Sequence, residues 1–258
     1  QWNYLEVYEY IKAGAIGDVV SANAYWNQSK LWHVNPNADW SEMEAMVRNW
    51  VNWMWLSGDH IVEQHVHNID VVNWFKDAHP VKAVGFGSRH RRITGDQFDN
   101  FSVDFVYEDG MHMHSMCRQI NGCVNNVSEF VVGTKGYTDC ARSLHQHDGT
   151  LIHETANPWP DSDEEKAALE EKYNSPYVQE HIDLVTAIRK GEQIVEAENV
   201  ANSTLTAIMG RISAYTGKET TWEEMMNSDI HYMPEVYDFG AVSGVPKEVP
   251  VPGESAEG

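Results

Sequence analysis

Hydrophobic residues near the start of the chain recur every three or four positions, as on one face of a helix. Leu5, Tyr8 and Ile11 follow this spacing, which predicts an amphipathic helix that ends at one of the glycines just after it. The next segment, VVSANAYWNQ at 19–28, is rich in β-branched and aromatic residues. This composition predicts a strand directly after the first helix.

The following segment, 29–56, has no regular periodicity although it contains five tryptophans. It predicts a packed but irregular loop. Helical spacing returns over about 59–75, and a helix there is expected to stop before Pro80, because a residue that precedes proline avoids the helical conformation.

From Pro80 onward, apolar and polar residues alternate, which is typical of strands with one buried face. Asp109 and Gly110 separate two such runs and are a strong signal for a tight hairpin. The pattern therefore predicts an antiparallel meander. Its strand-like segments are 80–90, 100–120, 126–142 and 149–154.

The last third of the chain is mostly helical in pattern. An acidic stretch at 157–176 predicts a loop with a short solvated helix, and two amphipathic helices follow it, each ending at a glycine. From about Ser228 the pattern decays into a proline-rich, acidic tail, expected to wrap on the surface or to be disordered. The predicted fold class is α+β, an open, mainly antiparallel β-sheet with helices packed on one face. The predicted domain is 1–227 and the tail is 228–258.

The charge of the chain narrows the choice of partners. Its 258 residues include 18 Lys and Arg against 39 Asp and Glu, a formal charge of −21. Nucleic acid is therefore not an expected partner, since only the run SRHRR at 88–92 gathers basic residues. No apolar stretch approaches the roughly 18 residues of a membrane span, so none is expected. The compartment stays open.

Polar chemistry is concentrated in SGDHIVEQHVHNIDVVNW at 57–74. On a regular helix, His60, Glu63, His67 and Asp70 fall within an arc of about 80°, with aliphatic residues nearly opposite. His65 falls toward the apolar side, so it is the histidine expected to be structural. Glu63 and His67 stand four residues apart, where a carboxylate can fix the tautomer of an imidazole and raise its pKa for proton transfer.

Two other interpretations of this stripe stay open. One is an acid-rich helix start with buried structural histidines. The other is a zinc or manganese site formed by His60, Glu63 and His67, although no established motif such as HExxH supports it. No metal is expected in the preferred interpretation.

The segment resembles the motif helix of the Gfo/Idh/MocA oxidoreductases, in which an acid, a histidine and an aspartate are separated by three and two residues. Glu63, His67 and Asp70 occupy these positions, with Glu63 where the family usually has Asp. Further segments that resemble the family are IKAGAIGDVVSANAYW, GTKGYTDC, SPYVQEHIDLVTAIRKGE and GRISAYTGKETTWEEM. The resemblance extends to about residue 230.

The resemblance implies a bacterial, two-domain enzyme, cytoplasmic or periplasmic, that moves a hydride between NAD or NADP and a sugar, polyol or glycoside. By the same resemblance, His67 exchanges the hydroxyl proton and Glu63 orients it, while a lysine on the cofactor domain assists. Because one face of the predicted sheet is left bare, we also expect a homo-oligomer formed through that face.

The dinucleotide-binding half of such an enzyme is not found in the sequence. The closest approach to G-x-G-x-x-G is VGFGSRH at 84–90, which has two of three glycines and lies between predicted strands. The chain is therefore interpreted as the C-terminal substrate domain without its N-terminal Rossmann domain. We expect no cofactor-binding residues in it, no bound cofactor and no activity for the fragment alone.

Other candidate substrate-binding residues are scattered along the chain. Asp59 and His60 begin the motif, and Arg118 lies on a predicted sheet face where an ion pair is an equal alternative. The remaining candidates are aromatic or cationic residues of two segments, in which tryptophan also commonly serves as core: Trp32, His33 and Arg48, and Tyr177 and His181.

Two rival functions remain. The first is a cofactor-free binding or assembly module that pairs through the bare sheet face. The second is a nicotinamide-dependent enzyme that cleaves glycosides through a 3-keto sugar, for which a tryptophan-rich loop would be suitable.

Overall fold

The computed structural model describes residues 1–253 and divides the chain into two compact units. The first unit contains residues 1–22 and 129–201, and the second contains 23–128 and the chain from Asn202 onward. The predicted boundary at residue 227 does not coincide with this division. The part of the predicted tail at 254–258 lies outside the described residues.

Helices and strands come mostly in consecutive groups along the described chain. The helices are α1 (Trp2–Lys12), α2 (Glu42–Arg48), α3 (Met54–Ser57), α4 (His60–Glu63), α5 (Val66–Lys76), α6 (Asp163–Lys172), α7 (Pro176–Lys190), α8 (Ala197–Thr216) and α9 (Trp222–Met226), with a 3-10 helix at Trp50–Asn52. The strands are β1 (Val19–Gln28), β2 (Pro80–Ser88), β3 (Asn100–Tyr107), β4 (His112–Gln119), β5 (Asn126–Gly133), β6 (Gly136–Thr138), β7 (Ser143–Gln146), β8 (Leu151–Glu154) and β9 (Thr220–Thr221).

The second unit is built on strands in the order β1-β4-β3-β2-β9. The pairs β2–β3, β3–β4 and β2–β9 are antiparallel. Strands β3 and β4 are joined through Asp109 and Gly110, as predicted, and the Tyr107 N–H donates to the Met111 carbonyl at 2.9 Å. Gly110 has φ +82°, a conformation that glycine adopts without steric cost.

Helices cover one face of these strands, which confirms the predicted α+β class. The inward residues of β3 and β4 are buried in strict alternation. The Tyr107 hydroxyl donates to the Asn73 Oδ1 of α5 at 2.6 Å. A Cβ on Gly210 of α8 would lie 2.6 Å from the Phe105 ring, so the helix approaches the sheet as closely as glycine permits. The outward alternate residues of β2, β3 and β4 remain accessible.

The first unit has strands in the order β8-β7-β6-β5, followed by the start of β1, of which residues 19–22 belong to this unit. Helix α1 is fixed here by the Asn3 amide, which donates to the Ala141 carbonyl at 2.7 Å. Helix α6 has no buried residue, as predicted for the acidic stretch, and Ala187 is the one buried residue of α7. Most apolar side chains of α7 are therefore exposed.

The sequence interpretation was wrong over 29–56, which is not a wholly irregular loop. Helices α2 and α3 and the 3-10 helix form in it, and the Ser41 hydroxyl caps α2 by accepting from the Glu44 N–H at 3.2 Å. The short helical turns are held by tertiary contacts, such as the Asp96 carboxylate that accepts from the Met54 N–H at 2.8 Å. Such contacts leave no periodic signal in a sequence.

The described part of the tail, 228–253, contains neither helix nor strand but packs on the second unit. Val242 is buried against Met43 and Met46, and its N–H donates to the Glu42 carboxylate at 2.7 Å. No helix within residues 1–253 combines the length and apolar character that crossing a bilayer requires.

Candidate functional site

The motif helix is broken at its centre. Helix α4 ends at Glu63 and α5 begins at Val66. The His65 N–H donates to the His60 carbonyl five residues back at 3.0 Å, and the His67 N–H donates to Gln64 at 3.2 Å. The prediction of one helix over 59–75 was therefore wrong, and Glu63 and His67 do not share a regular helical face.

The break leaves His67 at the surface while its neighbour His65 is buried. The His67 ring lies 5.8 Å from the ring of Trp26 on β1, centroid to centroid. No described residue forms a hydrogen bond to the His67 imidazole, so both ring nitrogens are available to a substrate. The structural role predicted for His65 fits its burial and its contact with Ser115 at 2.6 Å.

Glu63 is half-buried beside this histidine turn. Burial raises the pKa of its carboxyl, and the charge of His60 partly offsets that effect. Its Oε2 atom is buried with no hydrogen-bond partner among the described residues. Glu63 and His67 form no hydrogen bond in the described chain, so their action as an orienting pair stays a prediction.

Asp59 and His60 are buried, with 0% and 1% of their surfaces exposed. The Asp59 carboxylate accepts from the His60 N–H at 2.5 Å, from the Phe98 N–H at 3.1 Å and from the Tyr215 hydroxyl. Burial opposes its charge, but the hydrogen bond from His60, the charges of His60 and Arg92 and the Tyr215 hydrogen bond hold its pKa below the usual range. We therefore leave both residues out of the proposed substrate contacts.

Gln64 connects the helix break to β1 and β4. Its Oε1 atom accepts from the Gln28 amide of β1 and from the Gln119 amide of β4, the latter at 3.3 Å. The backbone carbonyl of Gln64 also accepts from the His67 N–H. Gln64 therefore links the His67 backbone to the Gln119 side chain, through one hydrogen bond to each. Gln119 forms part of the wall of a cavity.

This cavity has a volume of about 330 Å³ and lies in the second unit. Trp32 and His33 line it, as their prediction as substrate contacts requires, and His33 Nδ1 lies 3.1 Å from the Thr94 hydroxyl. Sequence reasoning missed most of the lining, although the SRHRR run was a visible signal. The additional residues are Lys30, Leu31, Asn52, Arg91, Arg92, Ile93, Thr94, Gln119, Ile120 and Asn121.

The other candidates lie apart from this lining. Arg48 pairs with Glu44 at 2.9 Å and covers the Trp40 ring. The Arg118 guanidinium donates to the Val124 carbonyl at 2.7 Å on the outer side of β4. Both arginines thus have partners within the chain, and substrate contact by either stays a prediction.

Tyr177 and His181 belong to the first unit. They lie on the exposed face of α7, where the Tyr177 carbonyl is 2.7 Å from His181 Nδ1. Tyr177 has 79% of its surface exposed. They line a shallow, mainly apolar groove with Val178, Ile182, Val185, Thr186 and Arg189.

The alternative of a metal site gains no support. Among residues 1–253, no group of three or more His, Cys, Asp or Glu side chains is placed to hold an ion. His60 is buried and directed to Asp59, with its Nδ1 at 2.9 Å from the carboxylate, whereas His67 is exposed.

These features define an α+β domain with an accessible histidine on a turn that is hydrogen-bonded to a residue of the cavity wall. The family model described as the GFO/IDH/MocA C-terminal domain matches residues 4–138, more than half of the chain. The chain belongs to the Gfo/Idh/MocA oxidoreductase family, as the motif indicated. The comparison with curated proteins finds no match.

Solved structures share the fold. Myo-inositol 2-dehydrogenase from Lactobacillus plantarum is 20% identical, with a TM-score of 0.56 over 86% of this chain and 62% of that one. Scyllo-inositol dehydrogenase from Lactobacillus casei, solved with NAD(H) and scyllo-inositol, is 17% identical, with a TM-score of 0.55 over 86% and 62%. Aldose-aldose oxidoreductase from Caulobacter crescentus is 15% identical, with a TM-score of 0.57 over 86% and 61%. The chain thus spans less than two thirds of these proteins.

Proposed function

We propose that the complete protein is an NAD(P)-dependent oxidoreductase acting on a hydroxyl group of a sugar, polyol or glycoside, and that this chain is its substrate-binding domain. The observation that carries the proposal is the accessible imidazole of His67, on a turn whose Gln64 side chain accepts a hydrogen bond from Gln119 in the wall of the cavity. Family membership supports the reaction class. The inositol and NAD(H) of the L. casei structure support the substrate and cofactor classes.

In this proposal His67 is the general base for alcohol oxidation. The carbon that bears the hydroxyl can give up its hydrogen as a hydride only if the hydroxyl proton is taken up as the carbonyl forms, and a neutral imidazole nitrogen can accept this proton. The Trp26 ring restricts the imidazole from one side. Glu63 acts as a positioning residue, because its unpaired Oε2 can accept a hydrogen bond when substrate reorders the turn.

The glycine-rich GFG sequence of this chain lies within strand β2 and does not fit a dinucleotide-binding turn. Gly85 and Gly87 of the GFG sequence serve sheet packing instead, since Cβ atoms there would lie 3.0 Å from Val103 and 2.5 Å from the Asn100 carbonyl oxygen. The cofactor is therefore assigned to a dinucleotide-binding domain outside this chain, consistent with the 62% coverage of the inositol dehydrogenases.

The test is an assay of cofactor reduction by the complete protein with a panel of sugars and polyols. His67→Ala is expected to lower kcat by about 10²–10⁴-fold while the protein keeps its unfolding temperature. His231→Ala, which removes another exposed histidine in the C-terminal segment, is the matched control. Unchanged turnover in His67→Ala would remove the proposed base.

The cavity also favours one alternative chemistry. Trp32 and Trp50 meet edge to face at 6.2 Å, and Trp32 is 45% exposed at the cavity, so it offers an aromatic platform for a sugar ring. An enzyme that cleaves glycosides through a 3-keto sugar would use this platform. It would release free sugar without net reduction of NAD(P), which separates it from a simple dehydrogenase.

Two surfaces are proposed to meet partners. The exposed apolar face of α7 is assigned to the Rossmann domain of the same protein, because apolar residues such as Ile188 are left 66% exposed. The open sheet face, defined as the outward residues Val84, Phe86, Ser102, Asp104, Val106, His112, His114 and Met116, is assigned to a homo-oligomer contact. A cofactor-free assembly module would use only the second surface, and would show association without turnover.

A further inference from the structure

The cavity of the second unit is lined by cations although the protein is strongly acidic. Lys30, Arg91 and Arg92 line it, and no carboxylate is among its lining residues. The chain as a whole has 39 acidic against 18 basic side chains. Three cationic side chains on one lining of an acidic chain are a feature that a neutral ligand does not require.

The arginine loop between β2 and β3 is held in place by one carboxylate. Asp99 Oδ2 accepts hydrogen bonds from the N–H groups of His90 at 2.9 Å, Arg91 at 2.6 Å and Arg92 at 3.1 Å. Although burial opposes its charge, these hydrogen bonds and one from Asn100 hold the pKa of Asp99 below its usual range. The loop is thereby ordered before any ligand binds, which lowers the entropic cost of binding.

Arg92 is fixed at the base of the cavity with donors to spare. Its Nη1 donates to Asn52 Oδ1 at 2.7 Å and its Nη2 donates to Gln119 Oε1. Its Nε and the Asn52 Nδ2 are buried, and neither has a partner among the described residues. The buried Asp59 offsets part of the charge of Arg92 but does not line the cavity.

Arg91 and Lys30 provide the accessible part of the cation cluster. Both are exposed, and no described residue forms an ion pair with either side chain. The Lys30 N–H donates to Asn121 Oδ1 at 3.0 Å, which fixes the backbone at the rim. With the exposed Trp32 ring on the same lining, the cavity combines an anion-binding end with an aromatic platform.

We propose that this cavity recognises the anionic substituent of an acidic saccharide, such as the carboxylate of a uronic acid, with Lys30, Arg91 and Arg92 as the charge partners and Trp32 under the sugar ring. The assignment deepens the proposed oxidoreductase function and rests on it for the identity of the ligand as a substrate. A sulfate or phosphate ester on the sugar would present the same chemistry, so these groups are separate arms of the test. Arginine recognises all three through paired N–H donors.

The experiment compares glucuronate, glucose 6-sulfate, glucose 6-phosphate and neutral glucose on the complete protein, by calorimetric binding and by cofactor reduction. The variants are Arg91→Gln and Lys30→Gln, both at exposed positions. Lys12→Gln, which removes an exposed cation on α1, is the matched control. Each cavity variant is expected to weaken binding of the preferred anionic sugar about ten-fold, since hydrogen bonds to charged groups contribute on this scale. Neutral glucose is expected to lose less affinity than the anionic sugar, because it offers no charge to these cations.

The outcomes separate this inference from the proposed function. Anion-selective binding that is weakened by Arg91→Gln but not by Lys12→Gln supports the site even if no sugar is oxidised, a result that would count only against the reaction. The site is overturned if the protein oxidises sugars without preferring any anionic form. It is also overturned if neither cavity variant changes such a preference. Both results leave the proposed reaction unaffected. Absence of binding by all four compounds overturns the site as well.

Discussion

His65 and Ser115 join the motif turn to the buried face of the sheet. Nε2 of His65 lies 2.6 Å from the Ser115 hydroxyl, fifty residues away along the chain. Both residues are almost completely buried. Burial lowers the pKa of His65 to about 3, so the imidazole is neutral in the folded protein at ordinary pH. The same contact holds the turn that separates α4 from α5.

The first prediction is a loss of stability in mild acid caused by His65. In the unfolded chain the histidine takes up a proton near pH 6.5, whereas the folded chain resists it down to about pH 3. The free energy of unfolding should therefore fall as pH drops from about 6.5 toward 3, by up to about 1.4 kcal/mol per pH unit from this group. Urea unfolding measured over this range gives the slope.

The variant His65→Gln isolates this contribution from that of other titrating groups. It should be less stable than the natural protein at pH 7, because the fit to Ser115 is lost, but its stability should fall less steeply below pH 6.5. If the free energy of unfolding fell equally steeply with pH in both proteins, His65 would not be the group responsible.

The second prediction concerns Asp59, whose carboxylate joins α4, the loop before β3 and α8. Its φ of +71° with ψ of +162° is a conformation that strains any residue other than glycine. Asp59→Ala leaves the buried donors Phe98 N–H and Tyr215 O–H without an acceptor. We expect a loss of about 3–5 kcal/mol in the free energy of unfolding. Asp163→Ala on the solvated helix α6 should change it by less than about 0.5 kcal/mol.

The third prediction compares two glycines with nearly the same backbone conformation. Gly95 and Gly110 have φ of +78° and +82°. A Cβ on Gly110 meets nothing, but one on Gly95 would overlap the carbonyl of Asn52 beneath the cavity. Gly110→Ala should cost about 1–2 kcal/mol through its left-handed backbone alone. Gly95→Ala should cost clearly more free energy of unfolding, as measured by denaturation. It should also weaken ligand binding in the cavity, as measured by calorimetry. Equal losses of stability in the two variants would show that Asn52 can move freely.

The fourth prediction separates stability from activity at Glu63. Because burial raises its pKa, Glu63 ionises at lower pH in the unfolded chain than in the folded protein. The free energy of unfolding therefore falls as pH rises from the ordinary glutamate pKa to the folded pKa, and the full cost is present above the folded pKa. Glu63→Gln removes the charge, so the variant should be at least as stable as the natural protein at pH 8. If Glu63 positions His67, kcat should fall and the pH profile of kcat should shift. A rise in stability with unchanged kcat and pH profile would leave Glu63 with no part in catalysis.

The fifth prediction concerns the open sheet face. Phe86 is 71% exposed in the middle of this face, in register with Ser102, which in turn pairs with Met116. A charge at this position should disfavour association, so Phe86→Glu is expected to shift the sedimentation coefficient of the complete protein toward that of the monomer. Phe239→Glu, at a similarly exposed phenylalanine in the C-terminal segment, is the control. Equal sedimentation of both variants and the natural protein would exclude this face as the contact.

Local pattern was enough to predict the long strands of the sheet, but not the short strands β7 and β9. Strands β3 and β4 and their hairpin follow from strict alternation on either side of Asp109 and Gly110, since the backbone of a two-residue turn and the period of a strand depend on adjacent residues only. The solvated helix α6 and the α+β class follow in the same way from short-range spacing. The motif also identified the family, because its residues lie within one short segment.

The arrangement of the site was decided only by the tertiary structure. The helix break depends on Gln64 reaching Gln28 and Gln119, and on His65 reaching Ser115, contacts that span 36, 55 and 50 residues. The cavity likewise brings Lys30 together with Arg91 and Gln119 from separate elements. Helical periodicity records the local preference of each residue for a helix, but it cannot record hydrogen bonds to distant strands, and here those bonds prevail over the local preference.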